Sequence, residues 1–371
     1  MIEYNGQLAI QQRVLPNYRV PFFDSLAQRC RGGLALFSGE PLPRESIPVG
    51  DRPQVARYSS GRNEHSFYPG HPLYACKQPQ LQSWLKSVNP DTLIVEANPR
   101  YLTNLHAIDW MRKKRKAVLG WGLGIPEERS FWALVRGRLR ARMLKKLNGI
   151  IAYSNQGAAE YARTGLLPPG SIFVAANAVS PPPAQPAATP GAGDGPLKLL
   201  FVGRLQKRKR LDLLLVASLA LPERLKPVVT IVGDGPDRKY FESLARDLPL
   251  EVTFTGSLEG DPLARRFRDA DLFVLPGTGG LAVQEAMSYG LPVIVAEGDG
   301  TQRDLVRPEN GWLVAPGDLH ALETALRLAL SDRRDLAVKG AESRRITTEE
   351  VNIETMADRF ITAVLAVQGT L

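Results

Sequence analysis

The sequence predicts an α/β protein of two domains, each a parallel sheet flanked by helices, the two facing each other across a cleft. Three observations carry this. A length of 371 residues suits about two domains at the usual size. Residues 180–196 (SPPPAQPAATPGAGDGP) break the chain near its middle with prolines that lack N–H donors and small residues without apolar periodicity. On both sides of that break, short apolar runs alternate with helical patterns, as in βα repeats joined by right-handed crossovers. The expected division is a first domain at 1–179, a linker at 180–196, a second domain at 197–352 and a last helix in 353–371.

In the first domain the candidate strands are Leu8 to Ile10, Leu34 to Phe37, Leu93 to Glu96, Ala117 to Leu119 and Ile150 to Tyr153, with a helix over Val20 to Arg29. The second domain reads more clearly. Its strands are Lys198 to Val202, Val228 to Val232, Val252 to Thr255, Leu272 to Leu275 and Val293 to Ala296, and between them lie amphipathic stretches such as Leu211 to Ala220 and Pro236 to Arg246. Both halves are Rossmann-like, and ligands of such folds gather beyond the carboxyl ends of the strands.

Every predicted strand end of the second domain carries glycine: Gly203, Gly233 and Gly235, Gly256, then Gly277, Gly279 and Gly280, and last Gly298 and Gly300. One such glycine needs only a tight βα turn. Five in succession along one edge, with Arg204 and Lys209 beside the first, point to an anion approached by backbone. Cations at a helix start oppose the macrodipole unless an anion lies between them, which favours a diphosphate.

Composition narrows the rest. The hydrophobic fraction of 44% excludes a disordered chain, and 47 basic against 38 acidic residues leave +9. Residues 100–149 hold 13 Lys and Arg against three acids, so this stretch alone carries +10 and the remainder −1. Cys30 and Cys76 lack metal-ligand spacing and read as thiols of a reducing compartment. No apolar run reaches the roughly 18 to 20 residues of a bilayer span, and the start MIEYNGQLAIQQR has no signal-peptide pattern. The expected location is the cytoplasm, peripheral on the inner face of the membrane.

Four motifs in order then carry a resemblance over Leu199 to about Leu365: Gly203-Arg204-Leu205 with Lys209, Val232-Gly233-Asp234-Gly235-Pro236, Phe254-Thr255-Gly256, and Glu285-Ala286-Met287-Ser288-Tyr289-Gly290-Leu291-Pro292. This stretch resembles the nucleotide-sugar-binding domain of glycosyltransferase family 4, of GT-B fold. The resemblance implies that Arg204 and Lys209 contact the donor diphosphate, that Glu285 accepts hydrogen bonds from the ribose hydroxyls, and that backbone around Gly279, Gly280 and Leu281 faces the phosphates or sugar. Gly203, Gly233, Asp234, Gly256 and Thr278 complete the expected donor site. The usual motif has a second glutamate eight positions before the first; here that position is Gly277, so sugar recognition is expected from Thr278 or loop backbone.

The first domain resembles the acceptor side less specifically, through Gln12-Arg13-Val14-Leu15-Pro16-Asn17-Tyr18 and Glu96-Ala97-Asn98-Pro99-Arg100. Arg13, Tyr18, Asn98, Arg100 and Gly122 are the expected acceptor residues. Relatives often carry Gly-His-Gly at the next strand end, where this chain has Gly122-Leu123-Gly124. Leucine cannot take a proton, and His65, His71, His106 and His320 read as surface or packing residues. Relatives also brace the first domain with the last helix, expected here over Glu354 to Ala366.

Phe131 to Leu147 holds six Lys and Arg and no acid among apolar residues. Phe131, Trp132, Arg136, Arg138, Arg140, Arg142, Lys145 and Lys146 are therefore read as a patch for an anionic membrane surface; an ordinary domain helix with a basic outer side is the alternative. The expected reaction is transfer from a nucleotide-diphosphate sugar to a saccharide or polyprenyl-diphosphate-linked acceptor, with retention, no metal and no cofactor. A scaffold that binds sugar nucleotide without turnover remains open. Nucleic acid is not expected, since no recognised motif accompanies the basic segment.

Overall fold

The chain enters its first sheet at β1 (Leu8–Val14), where every side chain except Arg13 is buried. The structure, a computed structural model, describes residues 2–45, 47–126, 131–178, 183 and 189–369. Two units emerge, one of residues 1–180 with 353–371 and one of residues 181–352.

In the first unit, β1 leads through α1 (Val20–Gln28) to β2 (Leu34–Gly39), β3 (Arg57–Gly61), the hairpin of β4 (Glu64–Ser66) and β5 (Ala75–Lys77), and α2 (Leu81–Val88). There follow β6 (Thr92–Glu96), α3 (Leu102–Lys113), β7 (Ala117–Gly122), α4 (Phe131–Leu144), β8 (Gly149–Ala152), α5 (Asn155–Arg163) and β9 (Ile172–Val174). The main sheet runs β3-β2-β1-β6-β7-β8-β9, with every pair parallel. Strand order reverses around β1, the switch point where such sheets open a crevice at their carboxyl ends. β3 and the hairpin escape the sequence reading because their residues are polar and at most half-buried for the most part. β7 runs three residues further than expected and delivers Trp121. His65, expected in a loop, lies in β4 opposite Cys76.

The second unit alternates β10 (Lys198–Val202), α6 (Leu211–Leu219), β11 (Val228–Val232), α7 (Arg238–Arg246), β12 (Glu251–Gly256), α8 (Gly260–Asp269), β13 (Leu272–Leu275), α9 (Leu281–Ser288), β14 (Val293–Ala296), α10 (Thr301–Leu305), β15 (Gly311–Val314), α11 (Leu319–Ser331) and α12 (Arg333–Arg345). Its sheet runs β12-β11-β10-β13-β14-β15, again parallel. The glycine-bearing strand ends are thus neighbours along one edge. β15, which the sequence reading lacks, adds a sixth strand beside β14. Residues 180–182 and 184–188 of the expected linker lie outside the described residues. Its later part is docked: the Gly191 N–H donates to Asp271 Oδ1 at 2.8 Å, and the same carboxylate accepts from the Lys198 N–H.

The last helix, α13 (Ile353–Gln368), belongs to the first unit. Its apolar side joins that unit's core, where Phe360 packs edge-on against Trp121 and Phe22, with ring centres 5.0 Å from each. The Arg29 side chain, 2% exposed, pins it electrostatically through Asp358 at 2.8 Å and Glu354 at 2.6 Å. A buried guanidinium needs such partners, because its desolvation is otherwise uncompensated.

Candidate functional site

In the second unit the cationic turn after β10 folds against the glycine-rich loop after β13. A 3-10 turn at Lys207–Lys209 ends on Arg210 in the left-handed region, φ 52°, which redirects the chain into α6. This turn lets Lys209 Nζ donate to the Thr278 carbonyl at 2.6 Å and Arg208 Nη1 donate to Thr278 Oγ1 at 2.9 Å. The Thr278 N–H in turn donates to the Arg208 carbonyl at 3.2 Å. Two loops remote in sequence become one cationic shelf.

That contact explains the glycine at position 277. A Cβ placed there would lie 2.4 Å from the Arg208 carbonyl oxygen and equally close to Lys209 backbone, far inside van der Waals contact, so a carboxylate side chain is sterically excluded. Gly279, at φ 151°, would drive a Cβ to 2.6 Å from Lys209 Nζ. Its carbonyl accepts from Gln302 Nε2 at 2.9 Å. Gly280 caps α9, whose first N–H groups, from Leu281 on, have no intrahelical acceptor. Gly233 is fixed by a similarly close approach: a Cβ would sit 2.0 Å from the Gly203 carbonyl. Its N–H donates to the Gly256 carbonyl at 2.8 Å.

Burial pushes the Lys209 ammonium down to about 8, helped by neighbouring Arg208 and opposed by Asp299. Burial also pushes the Glu285 carboxyl up. Both groups are therefore held short of full charge stabilisation in the free protein, a state that an incoming partner of opposite charge, or a diol for Glu285, relieves. Arg204 is exposed beside Gly203. Asp234 is occupied locally: it accepts from the Gly235 N–H at 2.6 Å and pairs with Arg238 at 3.2 Å.

The first unit holds a separate cavity of about 340 Å³ at the carboxyl ends of β6, β7 and β8. Asn98, Arg100 and Gly122 line it, as do Glu96, Trp121, Leu123, Tyr153 and Tyr161. A Cβ on Gly122 would meet Tyr161 Oη at 2.4 Å, so glycine there admits the tyrosine. Leu123, which the sequence reading sets against a histidine often found in the resembled family, lines the cavity. Two expected acceptor residues lie elsewhere. Arg13 is paired with Glu45 through two hydrogen bonds of 2.9 and 2.8 Å, and it and Tyr18 are not among the lining residues. The sequence reading missed Arg19, whose guanidinium stacks 4.4 Å over the Trp121 ring and reaches Tyr153 Oη at 3.4 Å. Burial raises the Glu96 carboxyl, while Arg19 and Arg13 oppose the rise.

The basic helix α4 also differs from expectation. Arg136 and Arg140 line this cavity instead of the outer surface, and Arg136 donates to the Pro72 carbonyl at 3.0 Å. Lys146 is paired with Asp109 at 2.5 Å. Trp132, Arg138, Arg142 and Lys145 remain exposed, and the Phe131 side chain lies outside the described residues. The basic side chains of this segment point in different directions, and composition alone does not separate them. His106 and His320 are exposed on α3 and α11, whereas His65 stacks on Tyr74 and bonds its hydroxyl at 3.1 Å. Among the described residues no helix is long and apolar enough to cross a membrane, and no three His, Cys, Asp or Glu side chains are placed to hold a metal ion.

A family model for glycosyl transferases group 1 matches residues 188–347. Over 165 residues the chain is 38% identical to the sulfoquinovosyl transferase SQD2 of Arabidopsis thaliana, covering 42% of this chain and 31% of that protein. It is 40% identical over 148 residues to a GDP-mannose-dependent alpha-mannosyltransferase of Mycolicibacterium smegmatis, 38% of this chain and 37% of that one. The chain thus spans about a third of the length of these curated relatives. Among solved structures, HepE (Alr3699) of Anabaena in complex with UDP superposes with a TM-score of 0.73 at 17% identity, over 97% of this chain and 99% of that one. The lipopolysaccharide outer core galactosyltransferase WaaB, in its apo form, gives 0.68 at 18% identity, over 97% and 99%. Both likenesses establish the two-unit GT-B fold.

Proposed function

We propose that the chain, whose residues 188–347 match the family model for glycosyl transferases group 1, is a family-4-like glycosyltransferase that transfers a sugar from a nucleotide-diphosphate donor to a saccharide acceptor. The observation that carries this reading is the cationic shelf, in which Lys209 and Arg208 converge on Thr278 at the glycine-bearing edge of the second sheet. When the bond between the sugar C1 and the diphosphate oxygen breaks, negative charge grows on the leaving diphosphate. Preorganised cations and backbone N–H groups placed there stabilise the transition state more than the ground state. Lys209 and Arg204 take that role, Gly279, Gly280 and Leu281 supply backbone donors, and Glu285 accepts from the ribose hydroxyls. Side chains do the work without metal, and anomeric configuration is retained.

The first unit takes the acceptor in the cavity lined by Asn98, Arg100 and Gly122, where Glu96 offers a carboxylate for hydroxyl groups. The acceptor is a saccharide or a polyprenyl-diphosphate-linked saccharide of cell-surface polysaccharide synthesis. The exposed side of α4, with Trp132, Arg138 and Arg142, and Lys145 in the turn after it, approaches an anionic membrane on the cytoplasmic side, an attraction that salt screens. The test is transfer of labelled sugar to saccharide acceptors by the full chain and by Lys209→Ala. Loss of transfer by at least about 100-fold in the variant is expected, in line with removal of a transition-state cation. Transfer at the wild-type rate would overturn the assignment, and nucleotide-sugar binding without transfer to any acceptor would favour a binding scaffold.

A further inference from the structure

We propose that Asp299 recognises the sugar of the donor, its second carboxylate oxygen accepting a hydrogen bond from a sugar hydroxyl next to the diphosphate. The proposal rests on the reading of the second unit as the donor side and names the group of that unit that meets the sugar. Sterics at the glycine loop come first. Backbone of Arg208 and Lys209 fills the space that a Cβ of residue 277 would need, so the cationic shelf forms only where that side chain is missing. Thr278 is engaged in the shelf itself, its carbonyl accepting from Lys209 and its hydroxyl oxygen from Arg208. A carboxylate for the sugar has to come from another strand end.

The neighbouring strand supplies it. β14 pairs with β13, and the loop after β14 carries two acids, Glu297 and Asp299. Glu297 is paired with Arg303 at 2.7 Å. Asp299 is exposed, and its Oδ1 accepts from Thr301 Oγ1 at 2.6 Å and from the Thr301 N–H at 3.2 Å. Its Oδ2 has no hydrogen-bond partner among the described residues. Gln302, fully buried, ties this loop to the glycine loop: Nε2 donates to the Gly279 carbonyl at 2.9 Å, and Oε1 accepts from the Asp299 N–H at 3.1 Å. A buried amide with donor and acceptor both engaged holds Asp299 at a fixed place beside the shelf. Gly280 belongs to the same contact, since a Cβ there would stand 3.2 Å from Thr301 Oγ1.

Asp299 acts electrostatically on Lys209, yet no ion pair joins the two among the described residues. The carboxylate thus stands near the phosphate-holding cation with an oxygen to spare. Like charge repels it from phosphate oxygens, so the part of the ligand it serves is neutral. The ribose falls to Glu285 on α9, and the neutral polyol that remains is the sugar to be transferred. A sugar hydroxyl donating to a carboxylate makes a charge-assisted hydrogen bond, about twice as strong as one to a neutral acceptor.

The experiment is calorimetric titration of the full chain at pH 6.5, where Lys209, held at about 8, stays charged. UDP, GDP, ADP and dTDP are each compared with their glucose conjugate in wild type, Asp299→Asn and Asp299→Ala. Asparagine keeps an oxygen for Thr301, and with it the turn, while losing the charge. At least one conjugate should bind the wild-type chain, lose about fivefold or more of its affinity in Asp299→Asn and lose more in Asp299→Ala. The matching nucleoside diphosphate should keep its affinity in both variants, or gain slightly from removal of a nearby negative charge. Equal losses for conjugate and diphosphate would make Asp299 a support of the shelf, and unchanged conjugate affinity in both folded variants would remove it from the sugar; either result overturns the proposal and leaves the donor reading standing. If neither variant folds, Asp299→Glu, which shifts the carboxylate by one methylene, replaces them under the same criteria. Binding of none of these ligands to the wild-type chain would instead overturn the donor reading, and the proposal with it.

Discussion

Lys209 Nζ sits 2.6 Å from the carbonyl oxygen of Thr278, so the cation of one strand end is held by the glycine loop of another. Burial, with the like charge of Arg208, pushes the Lys209 ammonium down to about 8, and a neutral carbonyl does little to offset that. Donor binding should change that balance. At pH 8.5 much of free Lys209 is deprotonated, and a diphosphate that raises its pKa draws in a proton. Calorimetry of nucleoside diphosphate binding in buffers of different ionisation enthalpy should show net proton uptake at this pH, which Lys209→Met abolishes. Donor affinity should fall as pH rises from 7.5 to 10. The same depression makes charged Lys209 a burden on folding below about 8, relieved as pH rises towards its unfolded value.

Gly277 should tolerate no side chain. Its Cβ would meet Arg208 and Lys209 backbone at 2.4 Å, so Gly277→Ala must push the cationic turn away from the loop. The expected outcome is a loss of about 1 to 3 kcal/mol in stability, read from denaturant unfolding, with weakened nucleoside diphosphate binding. Gly277→Glu, which restores the glutamate relatives carry, should be worse still.

Glu285→Gln should weaken binding of a ribonucleoside diphosphate by about tenfold or more, since a hydrogen bond to a charged acceptor contributes about 1.5 to 3 kcal/mol. The 2′-deoxy analogue, which keeps only the 3′ hydroxyl for this carboxylate, should lose less affinity in the variant than the ribonucleotide does. A variant loss that is the same for both nucleotides would remove Glu285 from the ribose.

Asp358→Asn should destabilise the first unit by about 1 to 3 kcal/mol, because it strips a charged partner from the buried Arg29 guanidinium. Arg29 holds the Asp358 carboxyl below the usual range. Its contribution is therefore complete above the unfolded carboxylate value and lost as pH falls through the lower folded one. Thermal unfolding as a function of pH should show wild type and variant converging in acid.

Much of the second unit could be read from the sequence because a parallel sheet buried on both faces is written in continuous apolar runs, and each run ends on glycine. VVTIV became β11 and LFVL became β13 without adjustment. In the first unit the signal is weaker. RYSSG forms an edge strand, β3, whose polar residues carry no alternation. Arg19 carries no motif, and its place over Trp121 depends on two elements meeting in space. Likewise, nothing in FWALVRGRLRARML states that Arg136 and Arg140 turn inward while Arg138 and Arg142 face out. The positive charge first located in residues 100–149 thus divides between an outer face and a cavity.

Ligand-detected binding of a panel of UDP, GDP, ADP and dTDP sugars to the full chain and to Lys209→Ala tests the central claim most directly. At least one sugar nucleotide should bind the wild-type chain and lose about tenfold or more of its affinity in a folded Lys209→Ala. Absence of binding across the panel, or equal binding to both proteins, would contradict it.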